Sequence, residues 1–273
     1  MKVGFFGTPG IAARCLETLS REHEICFVVS QEDKPYGRSL RITKSPVSQI
    51  AQKLSIPLIT PATLKDEVLP MQLSSFGADI FVVVAYGKII PRSIFALPKF
   101  GSINLHPSLL PHLRGAAPVE SALLRGDTVS GITIQCISER LDAGDILAQK
   151  KIELSPDMTA DELYEIVIPR GAELLSRVLR DFESGTVARK EQDESQATYC
   201  SKITKESARI NWESPSAMIH NLVRAYNPKP VAWTTFRGSG VRIWRTGLFS
   251  GDHPKLMPGE IAVFQKRHLL VGT

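Results

Sequence analysis

Short runs of branched and aromatic residues, each followed by a helix-like segment, set the tightest limit on what this chain can fold into. The first run, residues 2–6, ends at Gly7-Thr8-Pro9-Gly10 and passes into a helical pattern of Ala12, Cys15, Leu16 and Leu19. Similar runs stand at 25–29, 56–59, 80–84, 101–105 and 131–137. Because an intervening helix carries the chain back to the starting edge, successive strands are expected to pair in parallel, with helices covering both faces. The pattern predicts an α/β fold on a Rossmann-like, mostly parallel sheet. The opening turn has neither G-x-G-x-x-G nor the G-K-[ST] of a phosphate loop, so nicotinamide or nucleoside triphosphate chemistry is not expected.

Beyond the sheet, Leu163, Ile166, Val167, Leu174, Leu175, Val178 and Leu179 mark a helical region over 158–182, which Pro169 is expected to interrupt or kink. Residues 184–198 are polar and read as a linker. A helix over 217–226 and short strands at 231–236, 241–246, 259–264 and 268–271, with Gly-rich turns, predict a smaller OB-like β-barrel. The expected division is a catalytic domain at 1–183, a linker at 184–198 and a carboxyl-terminal barrel at 199–273.

Charge separates the same two parts. Of the net +5, residues 199–273 carry 11 Lys and Arg against 4 Asp and Glu, or +7, which leaves −2 for 1–198. A basic small domain fits a polyanionic partner, with a basic surface free of nucleic-acid function as the alternative. Four cysteines lie apart without a C-x-x-C pair and read as reduced, mostly buried thiols. No signal peptide or membrane-spanning run is read, so a soluble, cytoplasmic protein is expected.

The run at 101–105 also carries chemistry. It ends on Asn104 and His106, whose spacing places both side chains on one face of a strand, and Pro107, Pro111 and Gly115 stop the strand just beyond. Leu141-Asp142-Ala143-Gly144-Asp145 supplies a carboxylate downstream. An amide, an imidazole and a carboxylate suit acyl-group transfer through a tetrahedral intermediate. Asn104 and a protonated His106 can hydrogen-bond the oxyanion, at about 3 kcal/mol per well-placed donor. Asp142 can hold the imidazolium or accept the proton of an attacking amine, directly or through water. Singly, each has a plainer reading: a satisfied strand-end histidine, an amide bonded to nearby backbone, an aspartate opening a turn. No His, Cys and Asp cluster has ligand spacing, and no metal is expected.

Ser108-Leu109-Leu110-Pro111-His112-Leu113-Arg114-Gly115, together with residues 141–147, resembles the signature of the 10-formyltetrahydrofolate-dependent formyltransferases. The resemblance runs from Val3-Gly4-Phe5-Phe6-Gly7-Thr8-Pro9, through Val84-Ala85-Tyr86-Gly87-Lys88-Ile89-Ile90-Pro91, to Ala208-Arg209-Ile210-Asn211-Trp212 and Arg224-Ala225-Tyr226-Asn227-Pro228. It covers nearly the whole chain. It implies that Asn104, His106 and Asp142 form the catalytic trio. The implied formyl donor is 10-formyltetrahydrofolate, lying between the strand ends and the 141–147 loop, with Tyr86, Gly87, Ser108, Leu109, Leu110 and Pro111 as its binding residues. Arg114 and Gly115 either shape the turn or touch the ligand.

The acceptor implied is the α-amine of methionine carried by initiator tRNA, for translation initiation. The basic loop at 31–47 would contact the acceptor arm through Arg38, which matches an arginine of the family, and through Lys34, Arg41 and Lys44; a solvated basic loop is the alternative. A monomer is expected. Rival readings are formyl transfer to an amino-sugar nucleotide, hydrolysis of the formyl donor, and an idle RNA-binding protein on a transferase scaffold. In the family the barrel continues past the point matching Thr273, so an incomplete barrel is expected here.

Overall fold

Consecutive apolar residues make strands that are buried on both faces. A computed structural model describes residues 1–36, 41–251, 255–265 and 268–273. The first elements are β1 (Lys2–Gly7), α1 (Gly10–Leu19), β2 (Glu24–Val29), β3 (Lys34–Tyr36), β4 (Arg41–Thr43), α2 (Pro46–Lys53), β5 (Leu58–Ile59), α3 (Leu69–Ser74), β6 (Ile80–Val84) and α4 (Arg92–Phe95). They continue with β7 (Ser102–His106), β8 (Arg114–Gly115), α5 (Pro118–Arg125), β9 (Val129–Cys136), β10 (Ile146–Glu153) and α6 (Ala160–Ser184). The remainder is β11 (Tyr199–Cys200), α7 (Ser216–Ala225), β12 (Ala232–Phe236), β13 (Ser239–Ile243), β14 (Ile261–Phe264) and β15 (His268–Val271).

Seven strands form one sheet in the order β10-β9-β7-β6-β1-β2-β5. β1 pairs in parallel with β2 and β6, β2 with β5, and β6 with β7, whereas β9 is antiparallel to β7. Every residue of β6 is buried, as a strand covered on both faces requires. Phe6, Phe27, Phe81 and Tyr86 meet edge-on or tilted with ring centroids 5.3–6.1 Å apart. Gly4 makes that cluster possible, since a Cβ there would lie 2.4 Å from the Phe27 ring.

α6 runs through Pro169 without interruption. Pro169 lies on the exposed side, so the Glu165 carbonyl that loses its helical donor faces water, while Leu163, Val167, Leu174 and Leu175 anchor the buried side.

Contacts group the chain into two units with interleaved segments. The first comprises Met1–Arg114, Gly131–Ile152 and Glu165–Tyr199; the second comprises Gly115–Ser130, Glu153–Tyr164 and Cys200–Thr273. Residues 184–198, expected as a linker, belong to the first unit, where Lys190 and Ile146 exchange backbone hydrogen bonds of 2.8 and 2.9 Å. In the second unit Ile210, Ile219, Val223 and Ala232 form a core against which Trp212, Leu222 and Ile243 pack. There Arg224, 5% exposed, donates to Asn221 Oδ1 and to the carbonyls of Met158 and Leu123 at 2.8–3.2 Å.

Among the described residues the carboxyl-terminal strands, expected as an incomplete barrel, do not close. β12–β13 and β14–β15 are antiparallel hairpins in separate two-stranded sheets. β13 exposes four of its five residues, and on β14 the apolar Ile261 and Val263 stand exposed, so the described strands leave apolar surface uncovered. No helix of the described residues is long and apolar enough to cross a membrane.

Candidate active site

Asn104 and His106 of β7 stand opposite Gln135 and Thr133 of β9, and the two-residue period brings all four to one face. A polar set on a buried face requires partners, and Thr133 shows how completely they are supplied. Its hydroxyl donates to the Ser108 carbonyl at 2.7 Å and accepts from Leu110 N–H at 3.1 Å and Gln149 Nε2 at 3.0 Å. Gln149 Nε2 also donates to the Leu110 carbonyl at 2.8 Å. The loop after β7 is thereby fixed, with the Leu113 carbonyl 2.8 Å from His106 Nε2.

A carbonyl oxygen only accepts, so Nε2 carries the hydrogen and Nδ1 of the neutral ring keeps its lone pair. His106 is 4% exposed. Burial pushes its pKa down, opposed by the Asp142 carboxylate and the Leu113 carbonyl, so the resting ring is neutral at pH 7.

Asp142 arrives from the connection after β9, which leaves the sheet beside the amino-terminal end of β7 and folds back over its face. Gln135 Nε2 donates to Asp142 Oδ1 at 2.9 Å, and Asp142 Oδ2 lies 3.7 Å from His106 Nδ1. Asp142 adopts φ +49°, and Gly144 packs so closely that a Cβ would lie 1.9 Å from the Cys136 carbonyl oxygen. Buried Gln192 donates through Nε2 to the carbonyls of Asp142 and Gly144 at 2.9 and 2.7 Å. Its Oε1 accepts from Arg114 Nε and Nη2 at 3.1 and 2.8 Å. Arg114 is fully buried and also meets Glu194 at 2.8 and 3.1 Å, which holds the Glu194 carboxyl below its ordinary pKa. Asn104 is half-buried, and its amide makes no hydrogen bond among the described residues.

The structure thus brings Asn104, His106 and Asp142 together and treats the other expected residues differently. The Tyr86 ring belongs to the aromatic core; its hydroxyl is buried without a partner among the described residues, and burial pushes the phenol up to about 12. Its carbonyl accepts from Thr8 Oγ1 and Gln31 Nε2 at 3.0 and 2.7 Å, and Gly87 follows at φ +81°. Ser108 is buried and donates to the His112 carbonyl at 2.6 Å; Leu110 is buried, while Leu109 and Pro111 are half-buried. Lys34 and Arg41 fall in the β3–β4 hairpin, paired with Thr43 and Tyr36. Lys44 is exposed and donates to Gln52 at 3.0 Å, and Arg38 lies outside the described residues.

Sequence reasoning missed Thr133, Gln135 and Gln192. The parity of β9 against β7 was a signal for the first two, whereas nothing in the polar 184–198 stretch marks Gln192 as interior. A cavity of about 270 Å³ lined by Asp157, Thr159, His220, Arg224, Trp244 and Arg245, among others, belongs wholly to the second unit and includes none of the trio.

Known proteins match this layout along the chain. The formyl transferase family model matches residues 1–179, and that of the formyl transferase C-terminal domain matches 202–273. The chain belongs to the formyl transferase family. A methionyl-tRNA formyltransferase of Coxiella burnetii is 43% identical over 274 residues, covering 100% of this chain and 87% of that protein. Another, of Acetivibrio thermocellus, is 38% identical over 273 residues, covering 100% and 88%. Among solved structures, the N-formyltransferase from Helicobacter canadensis, in complex with folinic acid and dTDP-3-aminofucose, superposes with a TM-score of 0.74 at 21% identity, covering 100% of this chain and 95% of that one. HypX from Aquifex aeolicus in complex with tetrahydrofolic acid gives 0.67 at 20%, covering 100% and 42%. These two attest the fold.

Proposed function

We propose that this protein transfers the formyl group of 10-formyltetrahydrofolate to the α-amino group of methionyl initiator tRNA in the cytoplasm, with Asn104, His106 and Asp142 carrying the chemistry. Relatives 37–43% identical over almost the whole chain act on methionyl-tRNA by name, whereas the sugar N-formyltransferase likeness stands at 21%. One observation carries the site assignment: a buried neutral imidazole whose Nε2–H is taken by the Leu113 carbonyl turns its basic Nδ1 toward Asp142, beside an Asn104 amide that makes no hydrogen bond among the described residues.

In this reading the resting His106 is neutral, and it becomes an imidazolium only as the reaction proceeds. Asn104 is the standing donor to the carbonyl oxygen of the formyl group, worth about 3 kcal/mol as negative charge develops there. A free α-amine titrates near pH 8, so an attacking amine needs only modest help. His106 Nδ1 takes one proton from that amine as the new C–N bond forms. The imidazolium then has Nε2–H on Leu113 and Nδ1–H facing the Asp142 carboxylate. His106 returns the proton to the folate nitrogen as the old C–N bond breaks. Lys34, Arg38, Arg41 and Lys44 and the +7 carboxyl-terminal region serve the tRNA backbone.

The test is formyl transfer from 10-formyltetrahydrofolate to methionyl initiator tRNA, with methionyl elongator tRNA, an amino-sugar nucleotide and donor alone as parallel substrates. Initiator-selective formyl-methionine is expected, and Arg38→Ala raises the KM for tRNA while leaving that for the donor. Product on the sugar nucleotide alone, or formate from the donor alone, would overturn the reading.

A further inference from the structure

We propose that Gln192 is a positioning residue for the transfer reaction, acting through Asp142, with Arg114 fixing its orientation. The inference rests on the role given to Asp142 above. The Gln192 amide has one permitted orientation. Both Arg114 atoms can only donate and both loop carbonyls can only accept, so reversing the amide would set like groups against each other at every contact. One NH2 group thereby grips the loop on either side of Ala143, holding the carbonyls of Asp142 and Gly144.

That grip falls where the loop most needs it. Asp142 sits at φ +49°, in the left-handed region that most residues with a Cβ avoid and aspartate tolerates, and its carboxylate must stay close to His106 Nδ1. Gln135 holds the carboxylate and Gln192 holds the backbone that carries it. Arg114 and Glu194 tie the segment bearing Gln192 to the loop that follows β7, so both loops flanking His106 share one buried network. Gln192 need not touch either substrate for this role.

The deciding variant is Gln192→Glu, which exchanges the gripping NH2 for an oxygen, keeps the shape and keeps the contact with Arg114. The expected result is a kcat lower by about 10–100-fold with both KM values within about threefold, because displacement of a reacting group by about 1 Å costs up to 100-fold. Asp142→Asn leaves the backbone carbonyl in place and serves as the second arm. If Gln192 acts through Asp142, Gln192→Glu adds little in the Asp142→Asn background. Wild-type kcat in Gln192→Glu, or full multiplication of the two losses, overturns the inference while leaving the function untouched. Near-normal activity of Asp142→Asn instead sinks the assignment of Asp142 and this inference with it. The Gln192 side-chain amide protons in the unsubstituted enzyme give an independent measure: strong protection from exchange is expected, and exchange at the free-glutamine rate overturns the inference even if the variant does not fold.

Discussion

Replacing Thr133 by Val keeps the shape of a fully buried side chain and removes a hydroxyl that makes three hydrogen bonds. The Ser108 carbonyl loses its donor, the Leu110 N–H loses its acceptor, and Gln149 retains its bond to the Leu110 carbonyl. A buried group left unsatisfied costs about 1–3 kcal/mol, so the two orphaned backbone groups together cost about 2–6 kcal/mol. Thr133→Ser is the matched control. It keeps the hydroxyl, loses one methyl, and costs about 1 kcal/mol. Urea unfolding followed by tryptophan fluorescence and by far-ultraviolet circular dichroism reads both variants, with coincident transitions as the check on cooperativity. The same loop presents the Leu113 carbonyl to His106, so kcat falls in Thr133→Val and not in Thr133→Ser. Equal stability of the two variants would refute the reasoning, since it would mean that the hydroxyl does no more than fill space.

Asn104→Ala is expected to lower kcat by about 100- to 1,000-fold with little change in thermal stability, because its amide has no hydrogen-bond partner among the described residues; steady-state kinetics and a melting curve check both halves. Gly144→Ala forces the loop off the Cys136 carbonyl and is expected to cost about 1–3 kcal/mol and at least tenfold in kcat, read by the same urea titration and assay. Burial lowers the pKa of both His106 and His23. Above pH 6.5, their ordinary value, both states are neutral and contribute no slope. Below it the unfolded chain binds protons that the folded chain resists, so stability falls from pH 6.5 toward 5. Unfolding free energies at pH 7.5 and 5.5 test this, and His106→Gln should flatten the slope; an unchanged slope would exclude His106 as a contributor.

Most of the sheet was legible because its central strands are rich in apolar residues: β6 and β7 lie within a residue of the expected runs, and α7 within one of the expected helix, whereas edge strand β10, with Gln149, Lys150 and Lys151 in its middle, has no such run and was not expected. That Asn104 and His106 share one face of a strand was legible through spacing alone, since a two-residue period needs no knowledge of tertiary structure. The path of Asp142 was not, because it depends on β9 running antiparallel to β7 and the connection folding back. Gln192 escaped for a related reason: a polar residue in a polar stretch looks solvated, and only the carbonyls that it meets make it interior. Of the two outcomes expected at Pro169, interruption does not occur, because a helix-breaking residue is tolerated on a solvent-facing turn when the other side is well packed. The barrel was read from strand count and turns and expected to be incomplete, and its described strands form two separate hairpins with Ile261 and Val263 exposed.

The interleaving of the two units bears on what recombination can exchange. The carboxyl-terminal tail looks like a detachable cassette, but a cut at Cys200 would remove it from α5 and from the Leu123 and Met158 carbonyls that receive the Arg224 guanidinium. A chimera grafting another tail there takes Arg224 and its Asn221 acceptor from one parent and the two carbonyl acceptors from the other. Successful exchange must carry Gly115–Ser130 and Glu153–Tyr164 along with Cys200–Thr273, which makes the inheritable module three separate stretches of gene.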